Sequence, residues 1–197
     1  STPVAQYVHE KASANGKRVQ ALGGAKNHAI VLEDASLEQT ANAIIGAAYG
    51  SAGERCMAIS VVVAVDSIAD ELCDLLTKKA ESLRIGPGNE PENEMGPLIT
   101  DDHKNKVIDY IQQGEDAGAT VLLDGRDHEV TSKPGFFLGP TLFDHVNPEM
   151  SIYKEEIFGP VLVVLRVKDF NAAIKLANEH QFGNGVAIFT NQGSKAR

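Results

Sequence analysis

The sequence predicts an α/β domain with a largely parallel sheet and helices on both of its faces. Helical and strand-like segments alternate along the 197 residues. Two of the strand-like runs, Ile59–Val65 and Val161–Val167, are predominantly apolar and rich in valine, with Ser60 and Arg166 as the only polar residues. Such runs are typical of parallel strands that are buried on both faces. A hydrophobic content of 43% is enough for one sizeable core.

Helical spacing of apolar residues defines five helical segments. Pro3 suits the first turn of the first helix, and Asp34-Ala35-Ser36 marks the start of the second. The expected helices are Thr2–Ala14, the run from Leu37 to Ala48, Ile68–Leu83, Asp101–Gly118 and Asp169–Glu179.

Strands are expected between the helices. The segment Lys17–Asn27 is expected to hold a short strand that runs into the pair Gly23-Gly24, and the apolar run Ala29–Leu32 follows. The other expected strands are Ile59–Val65, Thr120–Leu123, pieces within Gly135–Val146 that Gly139-Pro140 interrupts, Val161–Val167 and Gly185–Thr190.

Charge and composition argue against several classes of function. The formal net charge is -9 and the pI is near 5.1, whereas nucleic-acid binding needs a concentrated basic surface. No apolar run approaches the roughly 20 residues of a membrane-spanning helix, and the first residues do not show the basic-then-apolar pattern of a secretory signal, so neither is expected. The six histidines are dispersed and no Cys or His pair has ligand spacing, so no metal site is expected. We expect a protein of the bacterial cytoplasm or the mitochondrial matrix.

The stretch Gly50–Met57 is the first candidate for a chemical site. It presents Cys56 in a loop of small residues between a helical run and the strand Ile59–Val65, a junction that suits a nucleophile. Taken alone, the spacing favours an inert buried thiol, which is the common state of a free cysteine. Cys73 lies on the apolar face of a predicted helix and is expected in the core. Both cysteines are interpreted as reduced thiols.

Three segments in a fixed order reverse that interpretation of Cys56. They are Leu22-Gly23-Gly24, Gly53-Glu54-Arg55-Cys56 and Glu155-Glu156-Ile157-Phe158-Gly159-Pro160. On its own, Glu155-Glu156 is equally compatible with a solvated charge pair, but together the segments resemble the aldehyde dehydrogenase superfamily. The resemblance extends over essentially the whole chain. It implies a catalytic domain over residues 22–197 that lacks its C-terminal part, with residues 1–21 as the end of a dinucleotide-binding domain.

The resemblance also implies the roles of individual residues. Cys56 would attack an aldehyde carbon and carry a thioester once hydride has passed to NAD, with its own backbone N–H as an oxyanion donor. Glu156 would hold the nicotinamide ribose, Phe158 would line the nicotinamide region, and Leu22 would meet the ring through its backbone. Ser1 would be the remnant of a pyrophosphate site at a helix start.

Ala21 departs from the pattern of the hydrolytic members of the superfamily. Those members have a glutamate immediately before Leu-Gly-Gly, and it is the general base for the water that cleaves the thioester. Without that base, the thiol of coenzyme A is a far better nucleophile toward the thioester than water. The segments Gln20–Asn27 and Gly53–Ala58 resemble the methylmalonate-semialdehyde dehydrogenase subgroup in particular. This resemblance implies that malonate or methylmalonate semialdehyde becomes acetyl-CoA or propanoyl-CoA with loss of carbon dioxide.

Arg55 is the candidate residue for substrate binding, because its planar guanidinium suits the carboxylate of such semialdehydes. Alternatively, Arg55 caps a nearby helix end or pairs with Glu54. Two other functions stay open: a hydrolytic NAD(P)-dependent aldehyde dehydrogenase with another base, and an inactive fragment or structural module. The expected partners are a small-molecule semialdehyde and, in the full-length form, further copies of the same protein. Neither nucleic acid nor a membrane is expected to bind.

Overall fold

The computed structural model describes all 197 residues, residues 1–197. Helices and strands alternate along the chain, and short 3-10 turns lie between some of them. In chain order the elements are α1 (Thr2–Ala14), β1 (Asn27–Val31), α2 (Leu37–Tyr49), β2 (Ile59–Val65), α3 (Asp66–Glu81), α4 (Asp101–Asp116), β3 (Thr120–Leu123), β4 (Thr141–Asp144), α5 (Ser151–Lys154), β5 (Val161–Val167), α6 (Phe170–Glu179) and β6 (Val186–Phe189). The predicted bounds of β2, β3 and β5 are confirmed, whereas the short helix α5 was not expected from the sequence.

The six strands form a single sheet in the order β3-β4-β5-β2-β1-β6. Every neighbouring pair is parallel except β3 and β4, which are antiparallel. The prediction of a largely parallel sheet is therefore confirmed. One antiparallel strand at the edge of an otherwise parallel sheet is common in α/β proteins.

The central strands are buried on both faces. All five residues of β1 are buried, and so are Val61–Val65 of β2 and Val161–Leu165 of β5. Because successive side chains of a strand point to opposite faces, unbroken burial means that both faces of the sheet are covered. This accounts for the valine-rich, non-alternating sequence of these strands.

Four neighbouring parallel strands begin at the same edge of the sheet. His28 of β1 pairs with Val61 of β2 on one side and with Val186 of β6 on the other. Val61 in turn pairs with Val163 of β5. The loops that precede β5, β2, β1 and β6 consequently lie side by side at the amino ends of the strands.

Two strand predictions are wrong in part. Residues 17–26 have no regular secondary structure, so the strand expected within Lys17–Asn27 is absent and β1 begins at Asn27. Most of residues 17–23 are exposed and pair with no strand of the sheet, and a lone strand leaves its backbone groups unpaired. Within Gly135–Val146 the only strand is β4, which follows Pro140. The piece before Gly139-Pro140 joins no neighbour in the sheet.

Helix α1 lies apart from the core and has no buried residue. Its apolar side chains Val4, Tyr7 and Val8 are exposed, although the prediction of a helix over Thr2–Ala14 is confirmed. No helix of the chain, α1 included, combines the length and the apolar character needed to cross a membrane.

Candidate active site

Cys56 follows a turn with an uncommon backbone conformation. After α2 ends at Tyr49, Ser51, Ala52 and Gly53 adopt positive φ angles of 53°, 52° and 73°. This left-handed conformation is unfavourable for residues that carry a Cβ, and it persists where surrounding contacts enforce it. The turn connects α2 to the start of β2 and leaves Cys56 exposed.

Gly53 is the point at which the cysteine loop touches the loop before β5. A Cβ at Gly53 would lie 2.2 Å from the carbonyl oxygen of Gly159. Only glycine permits such a close approach together with a positive φ. The contact therefore fixes the loop that carries Cys56 against the loop that carries Phe158.

Glu54 and His103 connect the same two loops to α4. The Nε2–H of His103 donates to the carbonyl oxygen of Phe158 at 2.6 Å, and Nε2 lies 3.6 Å from the Glu54 carboxylate. Phe158 has a φ of 59°, so this hydrogen bond holds the carbonyl of a strained residue. Burial raises the pKa of the Glu54 carboxyl above its ordinary value, although His103 and the backbone N–H of Ile99 act in the opposite direction.

Two side-chain amides hold the backbone of Cys56. The carbonyl oxygen of Cys56 accepts hydrogen bonds from Nδ2 of Asn184 at 2.7 Å and from Nδ2 of Asn27 at 2.9 Å. Nδ2 of Asn27 also donates to the carbonyl oxygen of Ala58 at 2.8 Å. The pairing of β1 with β2 shifts register between Asn27 and His28, so the amide of Asn27 supplies donors where the ladder is interrupted.

Four of the predicted site residues line one cleft. They are Arg55, Cys56, Glu156 and Phe158. Glu156 is half-buried, so it is not part of a fully solvated charge pair. Its neighbour Glu155 is exposed, and its carboxylate accepts a hydrogen bond from the hydroxyl of Tyr110 at 2.5 Å.

Arg55 is exposed and caps α2. Its Nη2 donates to the carbonyl oxygens of Gly46 at 2.8 Å and Ala47 at 3.1 Å. This is the helix-end alternative that the sequence left open, and pairing with Glu54 is not observed. Only one of the terminal nitrogens is used in this way. The Nε and Nη1 donors of the guanidinium have no partner within the protein, and Arg55 lines the cleft of Cys56.

A second cleft lies between the first turns of α1 and the glycine pair. The Oγ1 of Thr2 accepts a hydrogen bond from the N–H of Gly24 at 3.1 Å, and Ala21 also lines this cleft. A Cβ at Gly24 would lie 3.4 Å from Oε2 of Glu156, so the two clefts are adjacent. A helix N-terminus, glycine backbone and a carboxylate are groups that suit the pyrophosphate and ribose of a dinucleotide.

Ser1 and Leu22 are chain neighbours of residues that line this second cleft, but neither is among its lining residues. The carbonyl oxygen of Ser1 accepts a hydrogen bond from the N–H of Ala5 at 3.0 Å, and the side chain of Ser1 makes no capping bond. Leu22 is 81% exposed, so the protein leaves its side chain in solvent next to the glycine pair. Their expected roles toward a cofactor stay predictions.

Lys26 is a buried cation at the start of β1. Its Nζ donates to the carbonyl oxygens of Ile152 at 2.8 Å and Glu155 at 2.7 Å, which ties β1 to α5 and to the residue before Glu156. Burial lowers the pKa of Lys26 to about 7, although Glu156 and Glu155 act in the opposite direction. The backbone that presents Glu156 is thus attached to a lysine that loses its charge near neutral pH.

Cys73 belongs to the core, as predicted. It is buried in α3, and burial, together with Asp144, raises the pKa of its thiol to about 12. A thiol that stays protonated is a poor nucleophile. Cys56 is therefore the accessible cysteine of the two.

Sequence reasoning missed Lys26, Asn27, His103 and Asn184. A signal for the first two is present, because polar residues open a strand whose remaining residues are apolar. Asn184 stands between Gly183 and Gly185, a pattern that favours positive φ. His103 has no local signal, since only the packing of α4 brings it to Phe158.

Comparison with known proteins gives a consistent picture. The sequence profile of the aldehyde dehydrogenase family matches residues 1–197. Malonate-semialdehyde dehydrogenase 2 of Shouchella clausii is 51% identical over 197 residues, and the malonate-semialdehyde dehydrogenase of Halalkalibacterium halodurans is 53% identical over the same length. Each match covers 100% of this chain and 40% of the relative, so the chain spans less than half the length of these relatives.

Two crystal structures are similar over the whole chain. One is a putative methylmalonate-semialdehyde dehydrogenase from Sinorhizobium meliloti complexed with NAD, with a TM-score of 0.97 and 51% identity. The other is a methylmalonate-semialdehyde dehydrogenase from Oceanimonas doudoroffii, with a TM-score of 0.97 and 53% identity. The chain covers 40% and 41% of these two structures, respectively.

The lowered pKa of Lys26 predicts how the free energy of unfolding depends on pH. Between pH 7 and pH 10 the unfolded chain binds a proton at Lys26 and the folded chain does not, so folding becomes more favourable as pH rises. Urea unfolding of wild type and Lys26→Met should therefore diverge by about 1.4 kcal/mol per pH unit in this range, with wild type gaining. The control is Lys168→Met, which replaces an exposed lysine and should keep the wild-type slope. If the free energy of unfolding changed with pH in the same way for wild type and Lys26→Met, Lys26 would not be neutral in the folded protein.

Proposed function

The chain belongs to the aldehyde dehydrogenase family, and on that premise we propose that it forms the catalytic centre of a CoA-acylating semialdehyde dehydrogenase. The proposed substrates are malonate and methylmalonate semialdehyde, NAD and coenzyme A. The observation that carries the proposal is the shared cleft of Cys56 and Glu156, together with alanine at position 21. Residues 22–197 are proposed as the catalytic domain, and residues 1–21 as the end of the dinucleotide-binding domain.

Cys56 acts first in this proposal. Its thiolate forms a bond to the aldehyde carbon, and the carbonyl oxygen becomes an oxyanion that the backbone N–H of Cys56 stabilises. The exposure of Cys56 at the mouth of the cleft supports this role, because an attacking thiol must be reached by substrate. After hydride leaves the aldehyde carbon, Cys56 carries an acyl group as a thioester.

The proposed cofactor residues surround the junction of the two clefts. Glu156 would hold the nicotinamide ribose, Phe158 would line the nicotinamide region, and Leu22 would contribute backbone contact. Ser1, at the N-terminus of α1, would face the pyrophosphate, where helix N–H groups favour an anion. NAD, when bound, supplies the hydride acceptor.

The acyl group then passes from Cys56 to coenzyme A. The substrate carboxylate leaves as carbon dioxide, and the carbon that carried it takes up a proton. The CoA thiolate attacks the thioester carbon, the bond to Sγ of Cys56 breaks, and acetyl-CoA or propanoyl-CoA is released with the free Cys56 thiolate. Alanine at position 21 supports coenzyme A rather than water as the acceptor of the acyl group, since the alanine side chain has no carboxylate to activate water.

We propose that Arg55 binds the substrate carboxylate. The bond from Nη2 to the end of α2 orients the guanidinium, and Nη1, which has no partner within the protein, remains for a charge-assisted hydrogen bond to the carboxylate. Helix capping and substrate binding are therefore compatible roles of one side chain.

A hydrolytic dehydrogenase is the second candidate function. It would need a general base other than position 21, and Glu156 is the carboxylate that shares the cleft with Cys56. CoA dependence of NADH formation separates this function from the first. The full-length protein is further proposed to be a homo-oligomer of the bacterial cytoplasm or mitochondrial matrix.

Restoring a base at position 21 tests the proposed function. In the full-length enzyme, Ala21→Glu should raise NADH formation in the absence of CoA by about 10²-fold, because a general base contributes on that scale. Ala21→Gln, which has the same shape and no basicity, should stay at the wild-type level. NADH is followed by absorbance with and without CoA. Wild-type turnover that is equally fast without CoA would reject the acylating function in favour of the hydrolytic one.

Removing the guanidinium of Arg55 tests its proposed role in binding the substrate carboxylate. Arg55→Ala in the full-length enzyme should lower kcat/KM for malonate semialdehyde by about 10- to 100-fold, the scale of a lost charge-assisted contact. For propanal, which lacks the carboxylate, the decrease should be much smaller. The ratio of the two kcat/KM values cancels any general effect of losing the cap on α2. An unchanged ratio would mean that Arg55 caps α2 and does not bind the substrate carboxylate.

A further inference from the structure

We propose that Asn184 is a positioning residue for Cys56, acting with Asn27 through the cysteine carbonyl. The inference rests on the proposed function in one respect, since it takes Cys56 as the nucleophile. Asn184 lies 128 positions from Cys56 in the chain, in the loop before β6. The contact exists because β6 and β2 both begin at the amino edge of the sheet.

Side-chain amides use the full hydrogen-bonding capacity of the Cys56 carbonyl oxygen. The carbonyl oxygen of Cys56 accepts from Asn184 at 2.7 Å and from Asn27 at 2.9 Å. A carbonyl oxygen has two lone pairs, so both acceptor positions are used. The Oδ1 of Asn27 accepts from the N–H of Gly185 at 3.0 Å, which ties the residue after Asn184 to the same amide.

The backbone of Asn184 is strained. Its φ is 127°, a value that is costly for any residue with a Cβ and easy for glycine. Asn184 is also exposed, so its hydrogen bond to Cys56 competes with water and contributes little to stability. Strain that stability does not explain is typical of residues kept in place for function.

The tether restricts the motion of the nucleophile. With its carbonyl held from two sides, the peptide group between Cys56 and Met57 is restrained against rotation, which restricts the positions open to Sγ of Cys56. Met57 packs against Gly185, where a Cβ would lie 2.8 Å from Cε of Met57. An attacking atom that is misplaced by about 1 Å costs on the order of 10²-fold in rate. The structure therefore assigns Asn184 to the placement of Sγ.

The test is Asn184→Gly in the full-length enzyme. Glycine accepts the φ of 127° and removes the amide, so the variant loses the tether while losing the strain as well. The burst of NADH that reports acylation of Cys56 should slow by at least about tenfold, with KM for NAD unchanged within about twofold. The thermal midpoint should be equal to or higher than that of wild type. Loss of rate without loss of stability is a result that a merely structural residue would not give.

Hydrogen–deuterium exchange gives a readout that needs no substrate. In Asn184→Gly the amides of the segment from residue 54 to residue 58 should exchange faster, and those of the core strands β2 and β5 should not change. The matched control is Asn93→Gly, because Asn93 also donates its side-chain amide to a carbonyl, that of Pro87, in an exposed loop. It should leave the burst and the exchange around Cys56 as in wild type.

Three results overturn the inference. They are a wild-type burst in Asn184→Gly, unchanged exchange around Cys56, or a slowed burst that comes with a lower midpoint and faster exchange throughout the chain. Failure of the premise that Cys56 is the nucleophile is distinguishable, because wild-type enzyme would then show no burst at all. The exchange measurement would still decide whether Asn184 holds the Cys56 backbone.

Discussion

The parallel pairing of β5, β2, β1 and β6 is the constraint on which the rest of the structure depends. Parallel neighbours start at one edge of the sheet, so their preceding loops are brought together however far apart they lie in sequence. Here those loops carry Glu156 and Phe158, Cys56, Lys26 and Asn184. The site lies at the amino ends of the strands, whereas ligands of open α/β sheets usually bind outside the carboxyl ends. The valine-rich strands thus have a functional consequence, because their buried register determines which loops meet.

The loops at this edge are held in conformations that they would not adopt alone. Four of the five non-glycine residues with positive φ lie around the cleft, namely Ser51, Ala52, Phe158 and Asn184. Each costs on the order of 1–3 kcal/mol, more than one typical hydrogen bond of about 1 kcal/mol returns. Several contacts act on the strained positions accordingly: the close approach of Gly53 to Gly159, the bond from His103 to Phe158, and the amides on the Cys56 carbonyl. Rigidity around Cys56 is therefore obtained at the cost of local backbone strain, a combination typical of functional sites.

The sequence predicts those features that local pattern determines. Predominantly apolar runs define β2 and β5 to the residue, and the motifs point to Cys56, Glu156 and Phe158 as candidate site residues, which the structure places along one cleft. Contacts that depend on strand order are not predictable in this way. Asn27 and Asn184 reach Cys56 only because β1 lies between β2 and β6, and Lys26 reaches the carbonyl of Glu155 only because α5 packs beside β1. The prediction of a strand within Lys17–Asn27 was wrong for the same reason, since strand propensity cannot supply a neighbouring strand to pair with.

The proposed function requires that Cys56 carry an acyl group until a thiol removes it. Intact-protein and peptide mass spectrometry of the full-length enzyme, mixed with malonate semialdehyde and NAD in the absence of CoA, tests it most directly. We expect an acetyl adduct on the peptide that contains Cys56, none on the peptide that contains Cys73, and discharge of the adduct when CoA is added. Stoichiometric NADH with no adduct on Cys56 at any time, or an adduct that CoA does not remove, would contradict it.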